Sequence, residues 1–132
     1  MKVSHLYLSD FASVDSNGKL NINSIFDSLK VKSFPTTLVR AFVTFRPHGT
    51  ANQNYHFKLQ IKLENKVLED CVFTLDSTTG DNGQANVLVE LVGIPIKELG
   101  DYDFCIYEGQ TLLDKTTVKI SKDEPKPTRI TN

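Results

Sequence analysis

Nucleophilic and metal chemistry need histidine, cysteine or acidic side chains at particular spacings, and the sequence contains few such residues. The three histidines are His5, His48 and His56, and none lies in a recognised nucleophile motif. Cys71 and Cys105 are isolated in the sequence, whereas zinc sites use Cys or His residues in closely spaced pairs. We therefore predict no catalytic residues, no metal site and no cofactor.

Acidic residues near the N-terminus could form a pair of catalytic carboxylates or a calcium-binding loop, but their pattern supports neither site. Asp10 and Asp27 could approach each other as paired carboxylates, but such acids more often cap turns. The run from Asp15 to Gly18 lacks the Gly and Glu positions of an EF-hand calcium loop. Its Asn-Gly pair instead predicts a hairpin turn, because both residues tolerate positive φ. An enzyme is therefore our third hypothesis for this chain.

Basic residues on two predicted strands form the first candidate binding region. If strands at 38–46 and 55–63 pair across the loop 47–54, their outward side chains gather on one face. The members of this basic hairpin face are Arg40, Phe42, Arg46, His56, Lys58 and Lys62. A cationic sheet face with an exposed aromatic side chain could bind a small ligand, a nucleotide or a nucleic-acid strand. The same charges could instead serve only to keep a strand soluble.

The second candidate region is the polar loop 76–86, which is the longest stretch without a strand pattern inside the predicted domain. Long loops that lack structure of their own are often mobile or functional. The candidate loop residues are Asp76, Gly80, Asp81, Asn82 and Gly83.

Short β-strands must position these residues, because apolar and polar side chains alternate along most of the chain. The clearest case is 55–64, where five apolar residues alternate strictly with polar ones. The segment 25–31 is either a bulged continuation of the second strand or a separate strand that crosses towards another sheet. The predicted strands are 3–12, 19–23, 25–31, 38–46, 55–64, 67–75, 87–92, 102–108 and 112–120, with 94–96 as a crossover.

The run Glu98-Leu99-Gly100-Asp101-Tyr102-Asp103-Phe104 predicts how these strands are arranged. It has the pattern of a tyrosine corner, in which the Tyr hydroxyl bonds to upstream backbone at the start of a strand. Phe104 stands where antibody domains have a cysteine, so no inter-sheet disulfide is implied. We predict an all-β, antiparallel β-sandwich of seven to nine strands with immunoglobulin-like or related topology.

The two cysteines are predicted to lie on opposite faces of their strands. Cys71 shares its face with Phe73 and is expected to be buried, whereas Cys105 shares its face with Asp103 and is expected to be exposed or half covered. Opposite faces argue against a disulfide, which agrees with a reducing compartment.

Length and charge limit the classes of function. The 132 residues predict one domain over 1–120, followed by a solvated, disordered tail over 121–132. The formal net charge of −1 argues against generic electrostatic binding to nucleic acid or anionic membranes. We see neither a signal peptide nor an apolar run of the roughly 20 residues that a membrane helix needs, so we expect a cytoplasmic protein.

Charge is distributed unevenly along the chain. Residues 1–66 contain nine Lys or Arg residues and four Asp or Glu residues, whereas residues 67–120 contain three and ten. The two halves could attract each other within one sandwich, or they could create a dipolar surface for a partner or a second copy.

One segment, continued by two later ones, resembles a known group of proteins. The opening segment is Asp10-Phe11-Ala12-Ser13-Val14-Asp15-Ser16-Asn17-Gly18-Lys19-Leu20-Asn21-Ile22, followed by Ile25-Phe26-Asp27. Together with Phe34-Pro35 and the tyrosine corner, it resembles an uncharacterised prokaryotic family of small single-domain β proteins over residues 3–120. The resemblance implies a β-sandwich and a bacterial or archaeal source, and it implies no known activity.

These observations favour a non-enzymatic protein-binding or interaction module that uses an edge strand or a loop end. The expected partner is another protein, and a homo-oligomer is also open. The alternative is a small-ligand, nucleotide or nucleic-acid binder that uses the basic hairpin face. We expect no interaction with membranes.

Overall fold

The computed structural model describes residues 1–123, and nine β-strands form two stacked sheets within them. The described residues contain no helix, which confirms the all-β prediction. The strands are β1 (Lys2–Val14), β2 (Leu20–Ile25), β3 (Ser28–Val31), β4 (Thr36–His48), β5 (Asn54–Leu63), β6 (Lys66–Thr78), β7 (Val87–Ile96), β8 (Gly100–Glu108) and β9 (Thr111–Lys122).

Four strands form sheet A in the order β2-β1-β4-β7, and five form sheet B in the order β3-β9-β8-β5-β6. The pairings are antiparallel except for β3 with β9, which is parallel. The chain therefore crosses from sheet A to sheet B between β2 and β3. Of the segment predicted over 25–31, Ile25 continues β2 and Ser28–Val31 is a separate strand in the other sheet.

The core lies between the two sheets. Phe57, Leu59 and Ile61 of β5 are at most 3% exposed, and the residues between them are partly exposed, as the alternation in the sequence predicts. Side chains of β1, β4 and β7 face them from sheet A, including Leu8 and Val43, which are directly paired.

The predicted pairing of β4 with β5 is wrong. β4 pairs with β1 and β7, whereas β5 pairs with β6 and β8, so the loop 49–53 connects the two sheets. β4 and β5 meet instead through core side chains, such as Phe45 and Phe57, whose rings pack edge to face at 5.3 Å. Both strands have an apolar inner face, and packing these faces across the core buries both of them.

The tyrosine corner forms as predicted. The Tyr102 hydroxyl donates a hydrogen bond to the Glu98 carbonyl oxygen at 2.5 Å, and its side chain is 1% exposed. Phe104 points into the core. At Gly100, φ is +144°, and a Cβ there would come within 2.9 Å of the Glu64 side chain. The bend therefore favours glycine.

Three predicted boundaries are corrected. Residues 94–96 are not a crossover but continue β7, where Ile96 pairs with Thr36. Ser121 and Lys122 are not tail residues but end β9, because β3 pairs with them and extends the ladder. Asp76, predicted to lie in a loop, is part of β6. The predicted disorder of 124–132 lies outside the described residues.

Candidate functional site

The six residues of the predicted basic hairpin face do not form one surface. Because β4 and β5 belong to different sheets, their outward side chains lie on opposite sides of the sandwich. Arg40, Phe42 and Arg46 lie on β4 in sheet A. His56, Lys58 and Lys62 lie on β5 in sheet B.

On sheet B, each of the three predicted residues has a partner on a neighbouring strand. The Lys58 and Lys62 ammonium groups lie 5.2 and 5.3 Å from the centre of the Tyr107 ring. Lys62 also donates a 2.6 Å hydrogen bond to the Tyr107 hydroxyl, and this bond raises the pKa of Lys62. His56 pairs with Asp76 across β5 and β6. These contacts make the outer face of sheet B a polar, internally paired surface.

On sheet A, the expected exposed aromatic side chain is buried. Phe42 is 5% exposed, and its ring packs edge to face on Phe11 at 5.4 Å. The Arg40 Nε lies 2.9 Å from Glu90 Oε1 on the adjacent strand. The sequence of β4 did not predict the burial of Phe42, because the strand is buried on both faces near its middle.

The prediction for Cys105 is also wrong, since this residue is buried rather than exposed or half covered. Both cysteines are free thiols, with Cys71 1% and Cys105 2% exposed. Cys105 does point to the outer face of sheet B, but Gln60 and Lys115 lie directly opposite it on the two flanking strands. Burial raises the pKa of Cys105, although the nearby Lys62 lowers it.

The predicted functional loop is fixed by backbone hydrogen bonds on both sides. Within it, Gly80 N donates to Gln84 O at 2.9 Å and Gly83 N donates to Gly80 O at 3.0 Å. From the facing loop, Gly49 N donates to Gly83 O at 2.8 Å. Gly83 has φ +75°, and a Cβ there would collide with the Gly49 carbonyl oxygen. The two loops therefore form one closely packed end of the sandwich.

A polar basin of about 390 Å³ lies beside this loop. Its lining consists of one arginine, three carboxamides and one alanine, namely Arg46, Asn82, Gln84, Ala85 and Asn86. Arg46 Nε donates to Asn86 Oδ1 at 3.0 Å. No carboxylate lies in the lining, and Arg46 makes no ion pair among residues 1–123. The basin joins Arg46 of the predicted basic hairpin face to four residues of the predicted loop 76–86, of which Asn82 is one of the named candidates.

The free edges of the two sheets are β2 and β7 in sheet A and β3 and β6 in sheet B. β2 and β3 have six and four residues. β7 is longer, but it contains Gly93 at φ +71° and Pro95, and both features disfavour pairing with a further strand. β6 has 13 residues without glycine or proline, and its second half, 72–78, pairs with β5 without a register shift, so this half is the edge best suited to pairing.

The outward backbone groups of β6 follow from its register. Thr79 N donates to Gln53 O, and these residues lie opposite each other one step beyond the Asn54–Thr78 pair. In an antiparallel ladder, backbone groups of successive residues point alternately to the partner strand and away from it. The N–H and C=O groups of Val72, Thr74 and Asp76 therefore point to the free edge.

A cleft of about 570 Å³ borders the first half of β6. Val67 pairs with Lys62 and Val72 with Gln60, so the four residues 68–71 bulge opposite Ile61. The apolar lining is Leu63, Val67, Leu68, Cys71, Pro95 and Tyr102, and the charged lining is Glu64, Lys66, Glu69, Asp70, Lys97 and Glu98. Four acids and two lysines give the cleft a net negative charge.

The described chain has no group of three or more His, Cys, Asp or Glu side chains that could hold a metal ion. No helix in this range is long and apolar enough to cross a membrane.

A family model for DUF6941, described as a family of unknown function, matches residues 4–121. The chain belongs to DUF6941. This membership confirms the resemblance to an uncharacterised family. A search of curated proteins found no match.

The region matched to DUF6941 includes the whole of β6 and its cleft, which the sequence did not predict as a site. A signal was present in the spacing of the apolar residues. Phe73 and Leu75 follow Cys71 at intervals of two, but Leu68 precedes Cys71 by three. Such a break in a strand pattern indicates a bulge, and the bulge here opens the cleft.

Proposed function

We propose that this member of DUF6941 is a non-enzymatic module that binds an extended segment of a partner protein along the free edge of β6. The observation that carries the proposal is the row of outward backbone groups at Val72, Thr74 and Asp76. An added strand satisfies such groups with main-chain hydrogen bonds, which is a recurrent mode of peptide recognition.

The composition of this edge supports the proposal. The stretch 72–78 contains no proline, glycine or lysine, which are residues that commonly protect edges from pairing. Its side chains are mostly short or β-branched, and the strand pairs regularly with β5 over this length. Over residues 72–78, a partner strand therefore meets a regularly paired strand without proline or lysine.

The cleft beside residues 66–71 gives the proposed site its specificity. Main-chain hydrogen bonds form with a strand of almost any sequence, so selectivity has to come from pockets that hold particular side chains. The apolar lining suits one apolar side chain, and the excess of acids at the cleft favours basic neighbours. The proposed partner is therefore an extended segment with an apolar residue flanked by Lys or Arg.

A displayed library of random peptides tests this proposal. We expect enriched peptides with one apolar residue next to basic residues. Thr74→Pro removes an outward N–H without removing a bond to β5, so it should abolish their binding. Thr74→Val is the matched control, because it keeps the N–H and the side-chain shape, and it should bind normally.

Folding of both variants is checked by circular dichroism and urea unfolding. The proposal is wrong if no peptide is enriched, or if the enriched peptides bind Thr74→Pro as well as they bind the unchanged protein.

The proposal includes a reducing, cytoplasmic setting in a bacterium or archaeon. Its support is that Cys71 and Cys105 are both free thiols, which persist where disulfides do not form.

A second candidate function is the binding of a small oxyanion in the Arg46 basin. It is favoured by a guanidinium group that meets neutral carboxamides and no carboxylate. Calorimetry with citrate and with inorganic phosphate should show binding that Arg46→Gln abolishes. Asp81→Asn, outside the lining, should preserve that binding. The candidate fails if neither anion binds.

A further inference from the structure

The outer face of sheet A carries a group of exposed apolar side chains, and within residues 1–123 no second layer covers it. Strand alternation points Leu8 and Val43 into the core and turns their neighbours outward. Four large apolar side chains on this outward side are between 40% and 66% exposed, namely Tyr7, Phe11, Ile25 and Val92. Single exposed apolar residues are common, but a contiguous group on one face marks an interaction surface.

The side chains at the centre of this face are shielded from solvent. Ser9 and Thr44 are 0% exposed and Phe42 is 5% exposed, although all three lie on the outward side of the sheet. Phe42 is not part of the core cluster between the sheets. The Thr44 hydroxyl has no hydrogen-bond partner among residues 1–123. The centre of the face is therefore made of buried small and aromatic groups, as the centres of protein interfaces often are.

The outer face of sheet B shows what a solvated face of this molecule looks like. It presents Lys58 and Lys62 over Tyr107, and His56 paired with Asp76. By contrast, among residues 1–123 no Lys or Arg lies over an aromatic ring on the outer face of sheet A.

We propose that the outer face of sheet A binds the same face of a second copy of this chain, forming a two-fold symmetric dimer. Charge favours a second copy, because like charges would repel across a two-fold axis placed at Phe42, and the charges beside Phe42 are paired. The charged side chains beside Phe42 are Arg40 and Glu90, which neutralise each other at 2.9 Å. Arg46, on the same side of β4 and without an ion pair among residues 1–123, lies four residues further along the strand, where it donates to Asn86. The face therefore presents no net charge at its centre to an identical face.

The size of the face also suits a dimer. Four strands about 4.8 Å apart, each about 10 residues long at about 3.3 Å per residue, give a flat area of roughly 600 Å². Side-chain relief increases this area, and a standard interface buries roughly 800 Å² on each partner. Two sheets packed face to face about 10 Å apart are a common arrangement. A symmetric interface uses the same patch on both copies.

Analytical ultracentrifugation over a range of protein concentrations tests the dimer. The unchanged chain should sediment as a monomer–dimer equilibrium. Phe11→Glu should weaken the dimer by at least about 100-fold, because it buries an unpaired carboxylate at the interface. Leu112→Glu is the matched control, since Leu112 and Phe11 are both 46% exposed and Leu112 lies in sheet B. It should leave the equilibrium unchanged.

A fluorescence measurement reports on the face directly. The sequence contains no tryptophan, so Tyr7→Trp introduces a single reporter. Its emission should shift to the red on dilution, as the dimer dissociates and the indole meets water. Adding Phe11→Glu to this variant should give the red-shifted emission at every concentration.

Several results would overturn the inference. A monomer at all concentrations would do so, as would a dimer that Phe11→Glu leaves intact. Cosedimentation of the monomer with phosphatidylcholine vesicles, lost in Phe11→Glu, would assign the face to lipid instead. The inference is independent of the β6 proposal, because peptide binding at β6 should survive Phe11→Glu.

Discussion

Individual polar groups in this protein are buried more deeply than their residue types suggest. The Tyr102 hydroxyl keeps a partner in the Glu98 carbonyl, but the His5 Nε2 atom and the Thr44 hydroxyl have none among residues 1–123. A buried polar atom without a partner destabilises the fold by roughly 1–3 kcal/mol. His5 and Thr44 both belong to the outer side of sheet A, which agrees with a surface that is completed by another molecule.

His5 should make the stability of the fold depend on pH. Burial lowers its pKa, and the nearby Arg46 and His48 lower it further. The unfolded chain therefore binds a proton at His5 more readily than the folded chain does. Stability should be constant above the unfolded pKa of about 6.5 and should fall as the pH drops below it. Urea midpoints at about pH 7.5 and about pH 5.5 measure the effect.

Two variants separate His5 from other titrating groups. His5→Gln should flatten the pH dependence, whereas His56→Gln on sheet B should retain it. An unchanged dependence in His5→Gln would assign the proton to another residue.

The two thiols should be unreactive in the folded protein. Both cysteines are at most 2% exposed, and burial raises the pKa of each thiol, which reduces the reactive thiolate. A thiol reagent should therefore titrate no thiol in native protein and both thiols in urea. A rapidly reacting native thiol that Cys105→Ser removes would show that Gln60 and Lys115 do not shield it.

At the scale of elements, sequence periodicity predicted strands better than it predicted their partners. β5 was predicted to within one residue at each end, because it has one buried and one solvated face and its side chains therefore alternate. β4 is buried on both faces near its middle, so its pattern did not reveal that Phe42 is covered. The pairing of β4 with β1 and β7 depends on contacts across the fold, and a local pattern contains no information on them.

The tyrosine corner was predictable because its hydrogen bond is local, joining residues 98 and 102. The cleft was not, because it also needs Pro95 and Lys97 from another part of the chain. Similarly, the apolar outer face of sheet A needs β1, β2, β4 and β7 together. Sites built within one segment can be predicted from sequence, and sites built between segments need the fold.

The charge of the cleft should select the partner segment that binds at β6. Replacing Glu69 and Asp70 by Lys reverses two of its four acids. Peptides with basic residues should then bind more weakly, and a new library selection should enrich acidic neighbours instead. Glu108→Lys, outside the cleft lining, is the control and should keep the basic preference. Unchanged peptide sequences after the double reversal would show that the cleft charge has no part in recognition.

At the scale of the whole molecule, one core joins the two sheets. Buried side chains of both sheets form a single cluster, with Leu8 of sheet A 1% exposed and Leu59 of sheet B 0% exposed. The described chain therefore has no second core that could unfold separately. The two proposed sites, at the β6 edge and on the outer face of sheet A, therefore belong to one folded unit but lie on different sheets.

The shared core predicts one cooperative unfolding transition. Leu8→Ala and Leu59→Ala should each lower the free energy of unfolding by about 2–5 kcal/mol, because each leaves a cavity in the same core. Leu112→Ala, at a side chain that is 46% exposed, should change it by less than about 0.5 kcal/mol. Urea unfolding followed by circular dichroism and by tyrosine fluorescence should give coincident curves for each variant. Two separate transitions, with Leu8→Ala moving one and Leu59→Ala the other, would show that the sheets fold independently.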